Sequence, residues 1–271
     1  MTAKKIFIGG YTKSGTAFVG RAFGLFNGVY AKGEMDYFRI FFRGMEKMVV
    51  EYNDNIVHVN REVYDGRGTL EGVTINGFRE IMDQMFLHIY FSGKPAPADC
   101  DVIVEKSPHN IFWVKQIFDV YPSASFLCVY RSPQPVFRSL VRHMTDHRDT
   151  EFANPSFERR RKMLTAFQKR WTRYVGIMEN YRHKMKIIRY DAAAADNAGL
   201  LQFIEQEMLG YSPGLRAPVE TLSKEHYLQS LPEAERAKSL VQIGPYKVKL
   251  SEEEMAFLSS ECREPDISFD F

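Results

Sequence analysis

Basic and hydroxyl side chains are grouped in three short runs of this 271-residue sequence, each directly after an apolar stretch. Lysine and arginine neutralise a phosphate or sulfate, and backbone amides at the start of a helix hold its oxygens. The three runs are Lys13-Ser14-Gly15-Thr16, Lys106-Ser107-Pro108 and Arg131-Ser132-Pro133. We therefore expect three segments that are distant in the chain to form one anion-binding site.

The first run lies in a loop that resembles a phosphate-binding loop but differs from that of nucleoside triphosphatases. Gly10, four residues and Gly15 are followed by Thr16 and Ala17, whereas a Walker loop continues from its second glycine with Lys and then Ser or Thr. Here Lys13 precedes the second glycine. This order counts against ATP or GTP hydrolysis, although a general anion-binding loop remains an alternative.

The elements that must position these runs alternate between strand and helix patterns. Such alternation predicts an α/β fold with a P-loop-like central parallel sheet and helices on both of its faces. The carboxyl ends of parallel strands meet at one edge, where ligands bind. The predicted strands cover residues 5–9, 102–104, 125–130 and 186–189, and the predicted helices cover 16–27, 109–120, 133–143, 157–181 and 199–208.

The composition is that of a soluble globular protein, with 45% hydrophobic and 26% charged residues. The net charge of +2 is too small to indicate nucleic-acid binding, although residues 131–189 hold 15 Lys and Arg against 5 Asp and Glu. Three scattered cysteines favour a reducing compartment, and no apolar run is long enough to span a membrane. We expect a cytoplasmic protein with one domain over residues 1–271.

Four motifs in this order resemble those of sulfotransferases that use 3′-phosphoadenosine 5′-phosphosulfate (PAPS). The run from Lys13 to Thr16 is similar to their 5′-phosphosulfate loop, and Arg131 with Ser139 is similar to their 3′-phosphate site. Arg189-Tyr190-Asp191 resembles a strand end whose tyrosine contacts adenine. Gly244-Pro245-Tyr246-Lys247 resembles the loop that closes over the nucleotide, which we place within residues 212–250.

The pattern is most similar to the tyrosylprotein and heparan-type branch of that family. Glu105-Lys106-Ser107-Pro108 resembles its Lys-x-Pro element, and Glu34 stands where that branch has its catalytic base. The resemblance implies that Lys13 and Lys106 neutralise charge during sulfuryl transfer and that the amides of Ser14 to Ala17 hold the 5′-phosphate. It implies no metal. His109 follows Lys106 one position too late for the other branch, and it is the second candidate base.

Each of these residues has a structural alternative. Lys13 and Glu34 are also consistent with exposed loop residues, and Lys106 with an ion pair to Glu105 or Asp101. Arg131 could pair with Asp119 or Asp149, Ser139 could be a helix-surface serine, and Tyr190 could be a core aromatic.

At the level of function, a small-molecule kinase and an inactive nucleotide-binding protein are the alternatives. The sequence leaves open whether the acceptor is a small molecule, a glycan or a peptide.

Overall fold

A five-stranded parallel sheet forms the centre of the computed structural model, which describes residues 3–147, 157–217, 222 and 249–271. The strands are β1 Lys4–Gly10, β2 Val29–Lys32, β3 Val102–Lys106, β4 Ser125–Tyr130 and β5 Lys186–Arg189. Their order across the sheet is β2-β3-β1-β4-β5, and every neighbouring pair is parallel. The predicted α/β fold with a central parallel sheet is confirmed.

Helices connect these strands and cover the sheet. The α-helices of the described ranges are α1 Thr16–Phe23, α2 Arg43–Glu62, α3 Ile75–Tyr90, α4 Val114–Val120, α5 Pro133–His147, α6 Phe157–Tyr181, α7 Tyr190–Ala195, α8 Asn197–Phe203 and α9 Glu252–Glu261. Short helices of other types adjoin them: π-helices at Phe38–Phe42 and Ile204–Leu209, and 3₁₀-helices at Pro108–Trp113 and Arg182–Lys184. No helix in these ranges has the length and apolarity that crossing a membrane requires.

Both faces of the sheet are buried, which explains why its strands read as continuous apolar runs. Alternate residues of a strand point to opposite faces. Ile6 and Ile8 pack in one hydrophobic cluster with residues of α1 and α8, while Phe7 packs in the other with residues of α3, α4 and α6. Trp171 of α6 is fully buried in the second cluster.

Three local features differ from the sequence-based expectation. β2 was not predicted, because its half-exposed Val-Tyr-Ala-Lys sequence has no clear hydrophobic pattern. α1 ends at Phe23 rather than near residue 27. The predicted helix over 109–120 begins as a 3₁₀-helix, with Pro108 in its first turn, and becomes α-helical only at Val114.

The strand register brings the three polar runs to one edge of the sheet. Ile8 of β1 pairs with Lys106 of β3, and Gly10 of β1 pairs with Val129 of β4. On the outer side of β4, Tyr130 pairs with Arg189 of β5. The segments that follow β1, β3, β4 and β5 therefore leave the sheet side by side.

Candidate functional site

The loop between β1 and α1 has a backbone conformation that few residue types tolerate. Lys13 has a φ angle of 75° and Gly15 one of 104°, so both are left-handed. A Cβ atom at Gly15 would also lie 2.0 Å from the ring of Tyr190. A non-glycine residue at positive φ stores strain, and strain of this kind is concentrated at functional sites. The loop thus fixes the backbone at Lys13 close to the carboxyl end of β1.

The start of α1 presents polar atoms that could bind an anion. The helix begins at Thr16 without a side-chain cap, so its first N–H groups lack partners within the helix. The Ser14 side chain is fully buried, and its Oγ has no hydrogen-bond partner in the part of the chain that the structure describes. Thr16 is buried and Ala17 is exposed at the same helix end. An oxygen-rich ligand would satisfy these donors.

One aromatic ring connects this loop with Arg131 at the end of β4. Tyr190, the first residue of α7, packs against Gly15, and its ring centroid lies 4.6 Å from the guanidinium carbon of Arg131. The Arg131 side chain is only 15% exposed. Its Nε lies 3.5 Å from Asp191 Oδ1, yet it makes no hydrogen bond within the described ranges. The Tyr190 ring therefore lies between the loop that carries Lys13 and the Arg131 guanidinium. The Arg131 Nε–H is available to donate a hydrogen bond to a ligand.

A second cluster forms where β2 and β3 end. Lys106 Nζ donates to Glu34 Oε1 at 2.9 Å; the lysine side chain is 9% exposed and the glutamate 53%. The lysine stem passes over Gly20 of α1, where an added Cβ would lie 3.2 Å from Lys106 Cγ. The pKa of Lys13 is lowered by burial and by the Lys106 ammonium, and the Glu34 carboxylate opposes this shift. Lys13, Lys106 and Glu34 therefore interact electrostatically.

His109 lies beside this cluster and is oriented by a carboxylate. Its Nδ1 is 3.0 Å from Asp36 Oδ1, and the histidine side chain is 28% exposed. Asp36 has a φ angle of 48° and also accepts from Arg39. Burial raises the pKa of Asp36, but its bonds to Arg39 and His109 outweigh this effect and lower the pKa overall. A histidine held through Nδ1 leaves Nε2 as its second proton-transfer position.

Buried polar contacts tie the Glu34 segment to the end of β3. The Glu105 carboxylate is 1% exposed and accepts from the Ser107 hydroxyl, the Asn110 amide and the backbone N–H of Met35. The backbone N–H of Asp36 donates to Ser107 Oγ at 2.9 Å. Burial raises the pKa of Glu105. These bonds connect Met35 and Asp36, which follow Glu34, with Glu105 and Ser107, which flank Lys106, and so they set the positions of Glu34 and Lys106 relative to each other.

The structure decides some of the alternative ion pairs considered for Lys106 and Arg131. Lys106 pairs with Glu34 and not with the expected competitors Glu105 or Asp101. Arg131 has Asp191 as its described carboxylate neighbour, while Asp119 pairs with Lys115 at 2.7 Å. The other proposed competitor, Asp149, lies outside the described residues.

The remaining predicted residues are placed less fully. Ser139 is half-buried on α5, the helix that follows Arg131. Gly244, Tyr246 and Lys247 lie outside the described residues, as does most of the segment 212–250. Sequence reasoning did not single out Asp36 or Asn110 for the site. Asp36 is two residues from Glu34, and Asn110 is next to His109. Their contacts join segments more than 70 residues apart, and no periodic pattern in a sequence predicts contacts over that separation.

The structure is that of a P-loop-like α/β protein: a parallel sheet carries a glycine-containing loop at the end of its first strand, and lysines and an arginine surround this loop. A family model described as the sulfotransferase family matches residues 5–236. This match covers most of the chain, and the chain therefore belongs to the sulfotransferase family.

Two solved sulfotransferase structures resemble the chain at low sequence identity. Sulfotransferase STF1 from Mycobacterium tuberculosis H37Rv has 12% identity and a TM-score of 0.46, over 83% of this chain and 77% of that one. The sulfotransferase domain of the olefin synthase from Synechococcus PCC 7002 has 11% identity and a TM-score of 0.44, over 97% of this chain and 95% of that one. A search among curated proteins gave no significant match.

Proposed function

We propose that this sulfotransferase transfers a sulfuryl group from PAPS to a hydroxyl or amine acceptor and releases adenosine 3′,5′-bisphosphate. The observation that carries the proposal is the Tyr190 ring, which contacts Gly15 and stacks on Arg131. A nucleotide with phosphates on both sides of its ribose needs cations at two separated points next to an aromatic surface. Lys13, Arg131 and Tyr190 supply these features.

The polar atoms of the first loop and of Arg131 fit the two phosphate groups of PAPS. The Ser14 hydroxyl and Arg131 Nε are buried without a hydrogen-bond partner among the described residues, and such atoms are costly unless a ligand binds them. Lys13, Ser14, Gly15, Thr16 and Ala17 would hold the 5′-phosphate end, and Arg131 with Ser139 the 3′-phosphate. Tyr190 would contact the adenine. Gly244, Tyr246 and Lys247 remain predicted nucleotide-covering residues.

The second cluster supplies the groups that transfer requires. When bound, PAPS provides the sulfuryl group; the acceptor oxygen forms the new bond to sulfur as the bond to the phosphate oxygen breaks. Lys13 and Lys106 would neutralise the charge that develops on that leaving oxygen. Glu34 would accept the proton of the acceptor hydroxyl, as in the tyrosylprotein and heparan-type branch. His109 is the second candidate base. It follows Lys106 at the end of β3, and its ring is oriented by Asp36, whose Oδ1 lies 3.0 Å from His109 Nδ1.

The nucleotide site can be tested by thermal unfolding with adenosine 3′,5′-bisphosphate, adenosine 5′-phosphate and Mg-ATP. A ligand at about 100 times its Kd adds about 2.7 kcal/mol of stability. We expect adenosine 3′,5′-bisphosphate to raise the Tm of the wild type more than adenosine 5′-phosphate does. In Arg131→Ala the two ligands should raise the Tm equally, because the contact with the 3′-phosphate is lost. Arg61→Ala, which removes an exposed arginine side chain on α2, is the matched control. Equal shifts with all three nucleotides would contradict a 3′-phosphate site, and protection by Mg-ATP alone would favour a kinase.

The proposed base can be tested by labelled-sulfate transfer from PAPS to phenol and sugar acceptors. Removing a general base lowers turnover by about 10² to 10⁴. We expect Glu34→Gln to lose transfer to this extent while its bisphosphate-induced Tm shift is kept, and His109→Gln to retain more activity. The opposite order would identify His109 as the base. Bisphosphate binding without transfer to any acceptor by the wild type would indicate an inactive binding protein.

A further inference from the structure

The sheet order separates the candidate site into two halves. Arg131 and Tyr190 follow β4 and β5 on one side of β1, whereas Lys106, Glu34 and His109 are at the ends of β3 and β2 on the other. The second side, which we call the acceptor half, continues into the 3₁₀-helix Pro108–Trp113. What surrounds this short helix therefore bears on which acceptor reaches the proposed base.

Phe112 lies on the same side of the 3₁₀-helix as His109. Residues three apart eclipse one another in this helix type, with a rise of about 2 Å per residue. Two arginines of α6 cover the Phe112 ring: the guanidinium carbons of Arg170 and Arg173 lie 4.9 Å and 5.3 Å from its centroid. Arg170 is also 5.8 Å from the ring of Tyr11, two residues before Lys13. These guanidinium groups thus border both the loop and the turn that carries His109.

The charges of these two arginines are not compensated by a carboxylate within the described ranges. Other arginines of α6 and of the C-terminal segment are paired: Arg160 with Glu254 at 2.5 Å and Arg263 with Glu179 at 2.5 Å. Arg170 and Arg173 are exposed and have only aromatic faces as described partners. Stacking on a ring restrains the guanidinium plane while the N–H groups at its edge stay available, which suits bidentate binding of an anion.

We propose that Arg170 and Arg173 recognise an anionic acceptor, a hydroxylated molecule that carries a carboxylate or sulfate near the hydroxyl that is sulfated. This inference rests on the proposed function and adds to it the class of acceptor. Binding of the acceptor anion at Phe112 places its hydroxyl about one 3₁₀ turn away, beside His109 and the Lys106–Glu34 pair. The two positive charges beside Phe112 also attract such an acceptor more strongly than a neutral molecule.

The proposal can be tested by calorimetric binding to the protein saturated with adenosine 3′,5′-bisphosphate. One pair of probes is 4-hydroxyphenylacetate and its neutral analogue 2-(4-hydroxyphenyl)ethanol; the other is a uronic-acid tetrasaccharide and a neutral tetrasaccharide. We expect at least one acid to bind about tenfold more tightly than its neutral partner, with a preference that falls as salt rises. The pair that shows the preference distinguishes a small acid from an acidic glycan.

A double variant assigns the preference to these two side chains. Arg170→Gln with Arg173→Gln should abolish it and leave the bisphosphate affinity unchanged. The control, Arg161→Gln with Lys162→Gln, removes the same charge from α6 about 12 Å or more along the helix and should keep the preference. Equal binding of acid and neutral probes, an equal loss in the control, or a loss of bisphosphate affinity in the double variant would overturn the inference. If the wild type does not bind the bisphosphate, the proposed function itself fails.

Discussion

Lys13 combines three properties: a left-handed backbone, partial burial and a second lysine nearby. Burial and the Lys106 ammonium both favour its neutral form, and the Glu34 carboxylate opposes them only in part. The result is a pKa below the usual lysine value of 10.5. This lysine therefore loses its proton at a lower pH than an exposed one.

The pH dependence of nucleotide binding tests this property. The affinity for adenosine 3′,5′-bisphosphate should fall as the pH rises through the lowered pKa of Lys13, because the neutral amine no longer attracts the phosphates. The loss should begin below pH 10.5, the usual lysine value. Lys13→Arg should keep the affinity nearly constant, since arginine stays protonated over this range. Calorimetric titrations from neutral to alkaline pH measure the effect, and an identical decline in the arginine variant would assign it to another group.

The elements of the sheet show how far the sequence predicted the positions of these residues. β1, β3, β4 and β5 have buried apolar residues in continuous runs followed by polar clusters, so both the strands and the residues at their ends were predicted. β2 is an edge strand of four residues with one fully buried side chain, Val29, and such a segment has no periodic signal. Glu34 was therefore identified only by resemblance, and the strand that positions it became evident only in the structure.

Gly15 and Gly176 give opposite predictions for the same substitution. At Gly15, alanine would adopt a φ angle of 104° and place its Cβ 2.0 Å from the Tyr190 ring. A left-handed conformation costs alanine about 1–2 kcal/mol even without a clash, and the displaced ring would no longer connect the loop with Arg131. Gly176 lies inside α6, five residues before its last residue, with nothing within 4 Å of an added Cβ. There alanine should stabilise the protein by about 0.5–1 kcal/mol.

Urea unfolding and bisphosphate titration of the two variants check this contrast. Gly15→Ala should lower both the unfolding midpoint and the nucleotide affinity, whereas Gly176→Ala should raise the midpoint and leave the affinity unchanged. A Gly15→Ala protein that binds the nucleotide normally would show that the contact between the loop and Tyr190 is not needed for the site.

At the scale of the whole molecule, the contacts that sequence patterns could not reveal are those between distant segments. Nothing in the spacing of Arg170 and Phe112 predicts that one covers the other, because helix and strand periodicity determine only which face a residue occupies. The same holds for the stretch 263–271, whose position no sequence pattern predicted. The Trp171 indole donates to the carbonyl of Arg263, and the Arg189 backbone N–H donates to the carbonyl of Phe271. This stretch joins α6 to the edge of the sheet.

Asp270 is the residue through which this stretch holds β5. Its Oδ2 accepts from the backbone N–H of Ile187 at 2.7 Å, its Oδ1 lies 3.2 Å from Arg182 Nη2, and the side chain is 15% exposed.

Asp270→Ala leaves the Ile187 N–H without this acceptor and removes a partner of Arg182, so we expect it to cost about 1–3 kcal/mol of folding stability. Asp266→Ala, an exposed aspartate of the same stretch, removes the same charge and should change stability by less than about 0.5 kcal/mol. In urea the Asp270 variant should unfold at a lower midpoint with an unchanged m-value. Its bisphosphate affinity should persist, because Tyr190 still packs on Gly15 and Arg131. Equal midpoints for the two variants would mean that the backbone pairing of residues 270–271 with β5 is sufficient without the carboxylate.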